Sequence, residues 1–331
     1  MPLISVIILV WKDTEHVSAC INALQKQTYR DFEIIIVDNG SNQFDALSQI
    51  QKKHSNLSIL IERSKNNSGY AAGNNLGVKR ACGHWLALLN DDAFPQSDWL
   101  EMLVHTAEQY KDYTFFASRQ IQYNHLEFLD GAGDSYHITG LAWRRYYNQP
   151  AENYGLLNEE VFSACPAAAL YSREEFLKIG GFDEDYFSYF EDVDLGFRLR
   201  LNGAKCLYVP DAVVHHVGSA STGKRSDFSV YYGYRNMIWT FFKNMPFPYF
   251  WIFLPLHIAT VIFFTIYLTW RGQGSAIWLA IFDALTALPN MLKKRKMIQK
   301  NIHIKTRSLY KIMSTGLIEP FHEFMRRNRV K

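Results

Sequence analysis

Trp85-Leu86-Ala87-Leu88-Leu89-Asn90-Asp91-Asp92 decides the fold: five apolar residues run straight into an amide and two carboxylates. A run that short and that apolar fits a strand buried on both faces, the kind found in a parallel sheet covered by helices. Toward the N-terminus the same element recurs at residues 5–10 (SVIILV), 32–37 (FEIIIV) and 57–61. Helical stretches separate these runs, at about residues 15–25, from Ser41 to about residue 53, and at about residues 71–81. Strands alternating with helices imply parallel βαβ units with right-handed crossovers. In such sheets ligands bind beyond the carboxyl ends of the strands. The polar clusters Trp11-Lys12-Asp13, Asp38-Asn39, Asn66-Asn67 and Asn90-Asp91-Asp92 all fall at those ends. That coincidence is the first functional signal.

Past the acid pair the pattern is mixed, with Gly and aromatics over residues 113–147. A strand is expected at 162–171, a short helix at 173–179 stopped by Gly180-Gly181, a helix at 192–202, and a strand at 205–209. Beyond about Ser226 the character changes. Residues 244–270 contain no Asp, Glu, Lys or Arg, and residues 249–270 could reach ~33 Å as a helix. Pro255 and His257 weaken a membrane crossing, and Asp283 interrupts the second apolar stretch, 276–292. Basic residues flank the pair at Arg235, Lys243 and Lys293 to Lys296, which by the positive-inside bias puts both flanks on one side. A re-entrant hairpin or two helices lying in the interface is the expected arrangement, with a buried apolar subdomain as the alternative. The domains expected are therefore 1–225, divided into a nucleotide-binding half (1–95) and an acceptor and catalytic half (96–225), and a helical, membrane-associating region at 226–331.

At 331 residues with 48% hydrophobic content the chain has ample core, which excludes a disordered or fibrous reading. A formal net charge of +3 gives no case for nucleic acid, although basic residues crowd toward the C-terminus. Cys20, Cys82, Cys165 and Cys206 are scattered without a CxxC pair, so neither a disulfide framework nor a zinc site is expected, and a reducing compartment fits. The N-terminal run lacks a basic leader and a cleavage site and reads as the first strand.

Adjacent carboxylates at Asp91-Asp92 repel unless a cation or donors neutralise them, and a hard divalent ion would also bind diphosphate oxygens. Helix capping ahead of Pro95 accounts for only one of the two. Glu191-Asp192-Val193-Asp194 follows the aromatic run Tyr186-Phe187-Ser188-Tyr189-Phe190; three acids in four residues exceed what a helix N-terminus needs. One of them facing a cleft would serve as a general base. His215-His216 closes the segment after the last expected strand, where an imidazole is either structural or a metal ligand. The stretch from Ser68 to Gly77 opens a helix and is suited to close approach by phosphate or ribose; it is neither a dinucleotide fingerprint nor a P-loop.

The ordered series Val37-Asp38-Asn39-Gly40-Ser41, Asn67-Ser68-Gly69-Tyr70-Ala71 with Asn75 and Gly77, Leu89-Asn90-Asp91-Asp92, Gly180-Gly181-Phe182-Asp183-Glu184, Glu191-Asp192-Val193-Asp194-Leu195 with Arg198, and Pro210-Asp211-Ala212 with His216 resembles family-2 glycosyltransferases of the GT-A fold. Within that family it looks most like the rhamnosyltransferase-like branch that builds bacterial surface polysaccharides, over about residues 4–221. The resemblance implies a Rossmann-like, mostly parallel α/β sheet flanked by helices and an inverting transfer of one sugar from a TDP- or UDP-linked donor. Asp38 would bond the base beside Trp11, while Asn67, Gly69 and Asn75 would line the nucleotide pocket. Asp91 would touch ribose or donor sugar, and Asp92 with His216 would bind Mg2+ or Mn2+, His215 being the lesser choice. Asp192 would be the general base and Glu191 would orient the acceptor. The membrane reading of residues 249–270 and 276–292 with their basic flanks, and not the resemblance, predicts a lipid-linked glycan acceptor reached at the cytoplasmic face of the bacterial inner membrane. The chain departs from the family where Val10-Trp11-Lys12 replaces a common Thr-Tyr-Asn, and the QxxRW signature of processive synthases is absent. Two rivals remain: a sugar nucleotidyltransferase, for which an early GxGxR loop is missing, and a non-catalytic, membrane-anchored sugar-binding protein, which would lack the acids found here.

Overall fold

The computed structural model describes residues 2–12, 14–218, 226–316 and 318–328. Asp13 of the first loop, the 225/226 domain boundary, Ser221 and the last basic residues lie outside that set. The described residues form twelve strands: β1 (Ile4–Val10), β2 (Phe32–Asn39), β3 (Ile59–Ser64), β4 (Trp85–Asn90), β5 (Ala93–Pro95), β6 (Phe115–Gln122), β7 (His125–Ala132), β8 (Asp134–Tyr136), β9 (Ala142–Arg144), β10 (Glu159–Val161), β11 (Ala168–Ser172) and β12 (Cys206–His216). The main sheet runs β10-β12-β6-β11-β4-β1-β2-β3, with β5 on β12 and β7 on β6, and β8-β9 form a separate ribbon. From β4 through β3 every pairing is parallel, as expected. Antiparallel β11 then enters between β4 and β6, and the sheet beyond it is mixed.

The parallel half follows from its residues. Along β1, Ile4, Val6 and Ile8 pack on one face with Val17, Ile21 and Leu24 of α1 (Val17–Gln25), while Ile7 packs on the other with Ile35 and Val37. Helix α2 (Phe44–Lys53) follows β2, and α3 (Gly69–Arg80) follows β3. Gly77 is what lets α3 sit so close to the sheet, because a Cβ there would meet the Ile7 side chain at 2.6 Å. A Cβ on Gly73 would likewise collide with Leu9. Two glycines of the Ser68–Gly77 stretch thus serve packing on β1 and not a phosphate.

Three expectations need correction. The strand placed at 162–171 is only β11, because Pro166 lacks an N–H for the ladder and the chain turns through Cys165 and Ala168 before pairing begins. The third strand is a half-exposed edge and not a buried one. The last strand does not stop at 209: β12 continues to His216, bulging between Val209 and Val213 around Pro210.

Helices α4 (Trp99–Gln109), α5 (Arg173–Lys178) and α6 (Glu191–Leu201) complete the α/β body; α7 (Asp227–Asn244), α8 (Tyr249–Leu268), α9 (Gly274–Thr286), α10 (Leu288–Lys300), α11 (Thr306–Ile312) and α12 (Glu319–Asn328) form the C-terminal region. These helices share a core with the body: Tyr136, Phe162 and Phe197 cluster with Phe241, Phe250, Phe253 and Leu309. Buried ion pairs reinforce the contact. Lys243 of α7 is fully buried between Asp183 (2.6 Å) and Asp194 of α6 (2.7 Å).

Candidate functional site

At the carboxyl ends of β1, β2 and β4 a cleft of about 220 Å3 opens. The strand ends supply Trp11, Asn39, Asn90, Asp91 and Asp92, the entrance to α3 supplies Asn67, Gly69 and Tyr70, and β9 supplies Arg144. His216 closes one side, and Phe187, Ser188, Tyr189 and Phe228 form an aromatic wall. Most of these residues are hundreds of atoms apart along the chain and meet only because strands β1, β2, β4 and β12 end on the same edge.

Asp92 and His216 are brought together, with His216 Nε2 3.2 Å from Asp92 Oδ1. The other imidazole nitrogen lies 2.7 Å from Asp130 Oδ2, and Arg144 pairs with that same carboxylate. Asp130 therefore fixes the ring orientation and leaves Nε2 aimed at Asp92, the arrangement that metal-ligating histidines use. Burial disfavours the imidazolium, but Asp130 and then Asp92 outweigh it and raise His216 to about 9. At Asp92 burial opposes ionisation, and the His216 contact overcomes it to hold the carboxyl below its ordinary value. Gly218 N donates to Asp92 Oδ2 (3.2 Å). His215 lies half-buried on the opposite side of the strand, as alternation requires.

A divalent cation at this pair must displace the Nε2 proton of His216, because an imidazolium has no lone pair to give; the donor set is then one carboxylate and one oriented imidazole, with room in the cleft for diphosphate oxygens and water to complete the shell. Among the described residues no group of three or more His, Cys, Asp or Glu assembles as a closed metal site. The pair fits a cation held jointly by protein and ligand.

On the base-binding side, Asp38 is fully buried and accepts from Ser41 N (2.9 Å) and Ser41 Oγ (2.6 Å). Its second oxygen has no hydrogen bond and faces only the exposed Arg63, 3.5 Å away. Asn39 braces the neighbouring turn, accepting from Ser68 N and donating to Asn67 Oδ1 and Gly69 O. Lys12 sits over the Trp11 ring at 4.3 Å.

Two expected donor-side residues, Asp38 and Asn75, are not among the residues that line the cleft. The Asn75 side chain donates to Phe182 O (2.9 Å) and accepts from Phe182 N (3.0 Å), tying α3 to the Gly180-Gly181 turn. Nor is the start of α3 free for an anion. The amides of Tyr70 (2.6 Å) and Ala71 (3.2 Å) both donate to Phe187 O, so the orphan donors of the first turn are already satisfied.

The acids of the Glu191-Asp192-Val193-Asp194 segment part ways. Asp194 is buried and structural, bonded to Arg198, Lys243, Asn244 and the Tyr186 hydroxyl. Glu191 is buried with Oε2 unpartnered, and burial followed by the Asp192 charge pushes its carboxyl well above the usual range. Glu191 is enclosed and does not line the cleft, so no contact with an acceptor there follows from its position. Asp192 is half-exposed; burial raises it, while the Val193 amide (2.7 Å) and the Arg144 charge pull it down, with a net upward shift. Arg144 thus links Asp192 electrostatically to the cleft it lines.

The aromatic wall carries backbone strain. Phe187 (φ 64), Tyr189 (φ 66) and Phe190 (φ 65) all adopt the left-handed region, at a cost of roughly 1–3 kcal/mol each. Sequence reasoning missed this, as it missed Asp130, Arg144 and Asn39. Asn39 alone left a signal, standing beside Asp38 at a strand end.

The architecture is that of a GT-A-like glycosyltransferase. A crystal structure of GalNAc-T7 with UDP, GalNAc and Mn2+ superposes with TM-score 0.61 at 16% identity, covering 75% of this chain and 49% of that one. A mannosyltransferase PcManGT from Pyrobaculum calidifontis, in complex with GDP-Man and Mn2+, gives 0.53 at 15% identity over 90% and 85% of the two chains. The chain itself belongs to glycosyl transferase family 2, whose profile matches residues 5–180. The glycosyltransferase AglE from Haloferax volcanii is 40% identical over 112 residues, 32% of this chain and 36% of AglE. The chain spans only 36% of AglE and 25% of a second relative, the uncharacterized protein y4gI of Sinorhizobium fredii.

Proposed function

We propose that the protein is an inverting, metal-dependent, non-processive glycosyltransferase moving one sugar, rhamnose favoured, from a TDP- or UDP-linked donor to a lipid-linked glycan acceptor. The observation that supports this best is one cleft holding Asp91, Asp92 and His216, with Asp192 in electrostatic reach through Arg144. Asp38, whose Oδ2 carries no hydrogen bond and lies 3.5 Å from Arg63, would accept from the pyrimidine base. Asp92 and His216 would hold Mg2+ or Mn2+, which supplies charge neutralisation for the diphosphate. Asp192 takes the proton from the acceptor hydroxyl, and that oxygen attacks the anomeric carbon opposite the departing diphosphate. One displacement inverts the centre. GalNAc-T7 and PcManGT, each solved with a nucleotide or nucleotide sugar and Mn2+, are in keeping with this reading.

A panel of nucleotide sugars, screened by thermal unfolding with Mn2+ or Mg2+, tests it. The matching donor at about a hundred times its Kd should stabilise by about 2.7 kcal/mol, and the gain should vanish with excess chelator or in His216→Ala. Stabilisation that survives both would remove the metal from the proposal; none by any nucleotide sugar would remove the donor.

The C-terminal helices support a membrane surface. Tyr249–Thr286 is long and apolar enough to cross a bilayer, but the chain bends at Gly272 (φ 84). Two polar residues of this stretch bond to the rest of the chain: His257 contacts Thr139 O (2.7 Å) and Asp283 accepts from the Tyr231 hydroxyl (2.5 Å). The outward face carries Trp251, Phe263, Ile266, Trp270, Trp278 and Phe282, all exposed. One-sided helices of this kind would lie in the interface on the cytoplasmic face of a bacterial inner membrane, near a lipid-linked acceptor. Replacing Phe263 and Trp278 by Ser should lower partition into anionic vesicles about tenfold per ring in a flotation assay. A full-length chain that never floats would end the membrane reading.

A further inference from the structure

The strained segment before Asp192 is held by a clamp outside the region that the family profile matches. Every backbone carbonyl from Asp185 to Tyr189 is bonded. Arg235 of α7 donates to Asp185 O (3.1 Å) and Tyr186 O (3.0 Å). Asn236, wholly buried, turns one amide group on Tyr186 O (2.9 Å), Ser188 O (2.9 Å) and Tyr189 O (2.7 Å). Phe187 O takes the two α3 amides. The rings are fixed from the same helix: Phe187 stacks on Tyr232 (5.1 Å, 19°), and Phe228 contacts Tyr232 at 4.6 Å. So dense a set of donors would be unnecessary for an ordinary turn. Here it maintains left-handed aromatic residues that would otherwise relax away from the cleft.

What the clamp presents is a half-buried surface of Phe187, Ser188, Tyr189 and Phe228 within the cleft. Aromatic faces with a hydroxyl among them match the mixed apolar and polar faces of a pyranose ring. The wall ends two residues before Asp192 in Phe190, the residue that caps α6. The nucleotide-side groups Asp38, Asn39 and Asn67 come from β2 and the loop before α3, and the wall abuts that loop through Phe187, whose carbonyl takes the Tyr70 and Ala71 amides. We propose that Phe187, Ser188, Tyr189 and Phe228 form the subsite for the acceptor's hexopyranose ring, and that Arg235 and Asn236 are the positioning residues that hold it. This rests on the transferase reading above and assigns the face from which the acceptor hydroxyl reaches Asp192.

The test uses the full chain with UDP and Mn2+ present and benzyl gluco-, manno-, galacto- and rhamnopyranosides as acceptor probes. Probe binding is followed by calorimetry, and turnover with the donor identified by thermal screening. Phe228→Ala and Asn236→Ala should each weaken hexoside binding and raise acceptor KM about tenfold, with UDP affinity within twofold of the parent. Amide hydrogen exchange over residues 186–192 should rise at least tenfold in Asn236→Ala and stay unchanged in Phe228→Ala, which separates positioning from contact. If Asn236→Ala does not fold, Phe228→Ala and Tyr189→Ala carry the subsite and Arg235→Lys carries the clamp. Hexosides that bind the parent without being glycosylated by any donor would overturn the transferase reading and leave the subsite standing. Parent protein that binds none of the hexosides, or variants that bind them as well as the parent, would overturn the subsite. Unchanged exchange in Asn236→Ala or Arg235→Lys would overturn the clamp.

Discussion

Replacing Asp192 by Asn should lower the transfer rate by about 10²- to 10⁴-fold while leaving donor binding intact, the range that loss of a positioned general base produces. The amide keeps the size of the side chain and its contact with the Val193 amide geometry but has no carboxylate to accept a proton. Burial raises Asp192 above its ordinary value, against the opposing pull of the Val193 amide and Arg144. A base is active when deprotonated, so the upward shift moves the acidic limb of the rate–pH profile to higher pH than a free aspartate would give. That limb should disappear in Asp192→Asn, whose residual rate should be flat across it. Glu191 supplies the control. Its carboxyl is enclosed, lies outside the cleft lining and is pushed well above its ordinary value by burial and the Asp192 charge, so Glu191→Gln should cost far less activity. If instead Glu191→Gln abolished transfer and Asp192→Asn did not, the base would be Glu191, and the enclosed carboxyl would need an opening motion to reach substrate.

How much of this could be read from sequence depends on distance along the chain. The parallel half of the sheet was legible because residues 5–10, 32–37 and 85–89 are apolar on both faces, and burial on both faces leaves few other folds. Its ligand edge was legible for the same reason: the residues that follow each buried run must emerge at one side. Asp92 and His216 could be named, and they lie together. Asp130, which orients His216 from 86 residues away, stands in a Gly- and aromatic-rich stretch with no periodicity to mark it. Arg144, on the short strand β9, is equally unmarked. Asn75 failed in the opposite direction. Its position in a Gly-rich helix start looked like ligand contact, yet an amide with one donor and one acceptor also suits bridging two turns, and that is where its bonds go. The Arg235-Asn236 clamp was invisible because its partners are backbone carbonyls, which carry no residue identity. The excess acid in Glu191-Asp192-Val193-Asp194 was noticed, but only the fold shows that Asp194 is spent on a lysine fifty residues later.

That lysine carries the largest expected effect on stability. Lys243→Met should destabilise the protein by about 3–5 kcal/mol, the cost of removing one partner from a buried ion pair. Lys243 is fully buried, 2.6 Å from Asp183 and 2.7 Å from Asp194, with its ammonium 4.4 Å from the Tyr186 ring centre. The methionine fills similar space but takes the buried ammonium from both carboxylates, leaving Asp183 with Lys294 and the wholly enclosed Asp194 with Arg198, Asn244 and the Tyr186 hydroxyl. Lys294→Met is the comparison: that side chain also pairs with Asp183 but is a quarter exposed, so about 1 kcal/mol or less is expected. The pH dependence follows from the same charges. Burial opposes ionisation of Asp183, and Lys243 with Lys294 outweighs it; at Asp194 burial is outweighed by Arg198 and Lys243. Both carboxyls therefore titrate below their unfolded value of about 3.9. Their contribution is fully present above that value and is lost as pH falls through the depressed folded values. In Lys243→Met the depression is relieved, so the deficit against the parent should be greatest near neutral pH and shrink on acidification. Urea unfolding at neutral and at acid pH measures both, and a neutral-pH difference below about 1 kcal/mol would mean the triad is not a buried ion pair in solution. Because Asp194 lies two residues from Asp192 on α6, and Lys243 lies on the helix that carries Arg235 and Asn236, loosening this joint should also move the base and the aromatic wall together. A fall in activity of Lys243→Met at temperatures well below its unfolding midpoint would show that the C-terminal helices set the geometry of the cleft, beyond stabilising the chain.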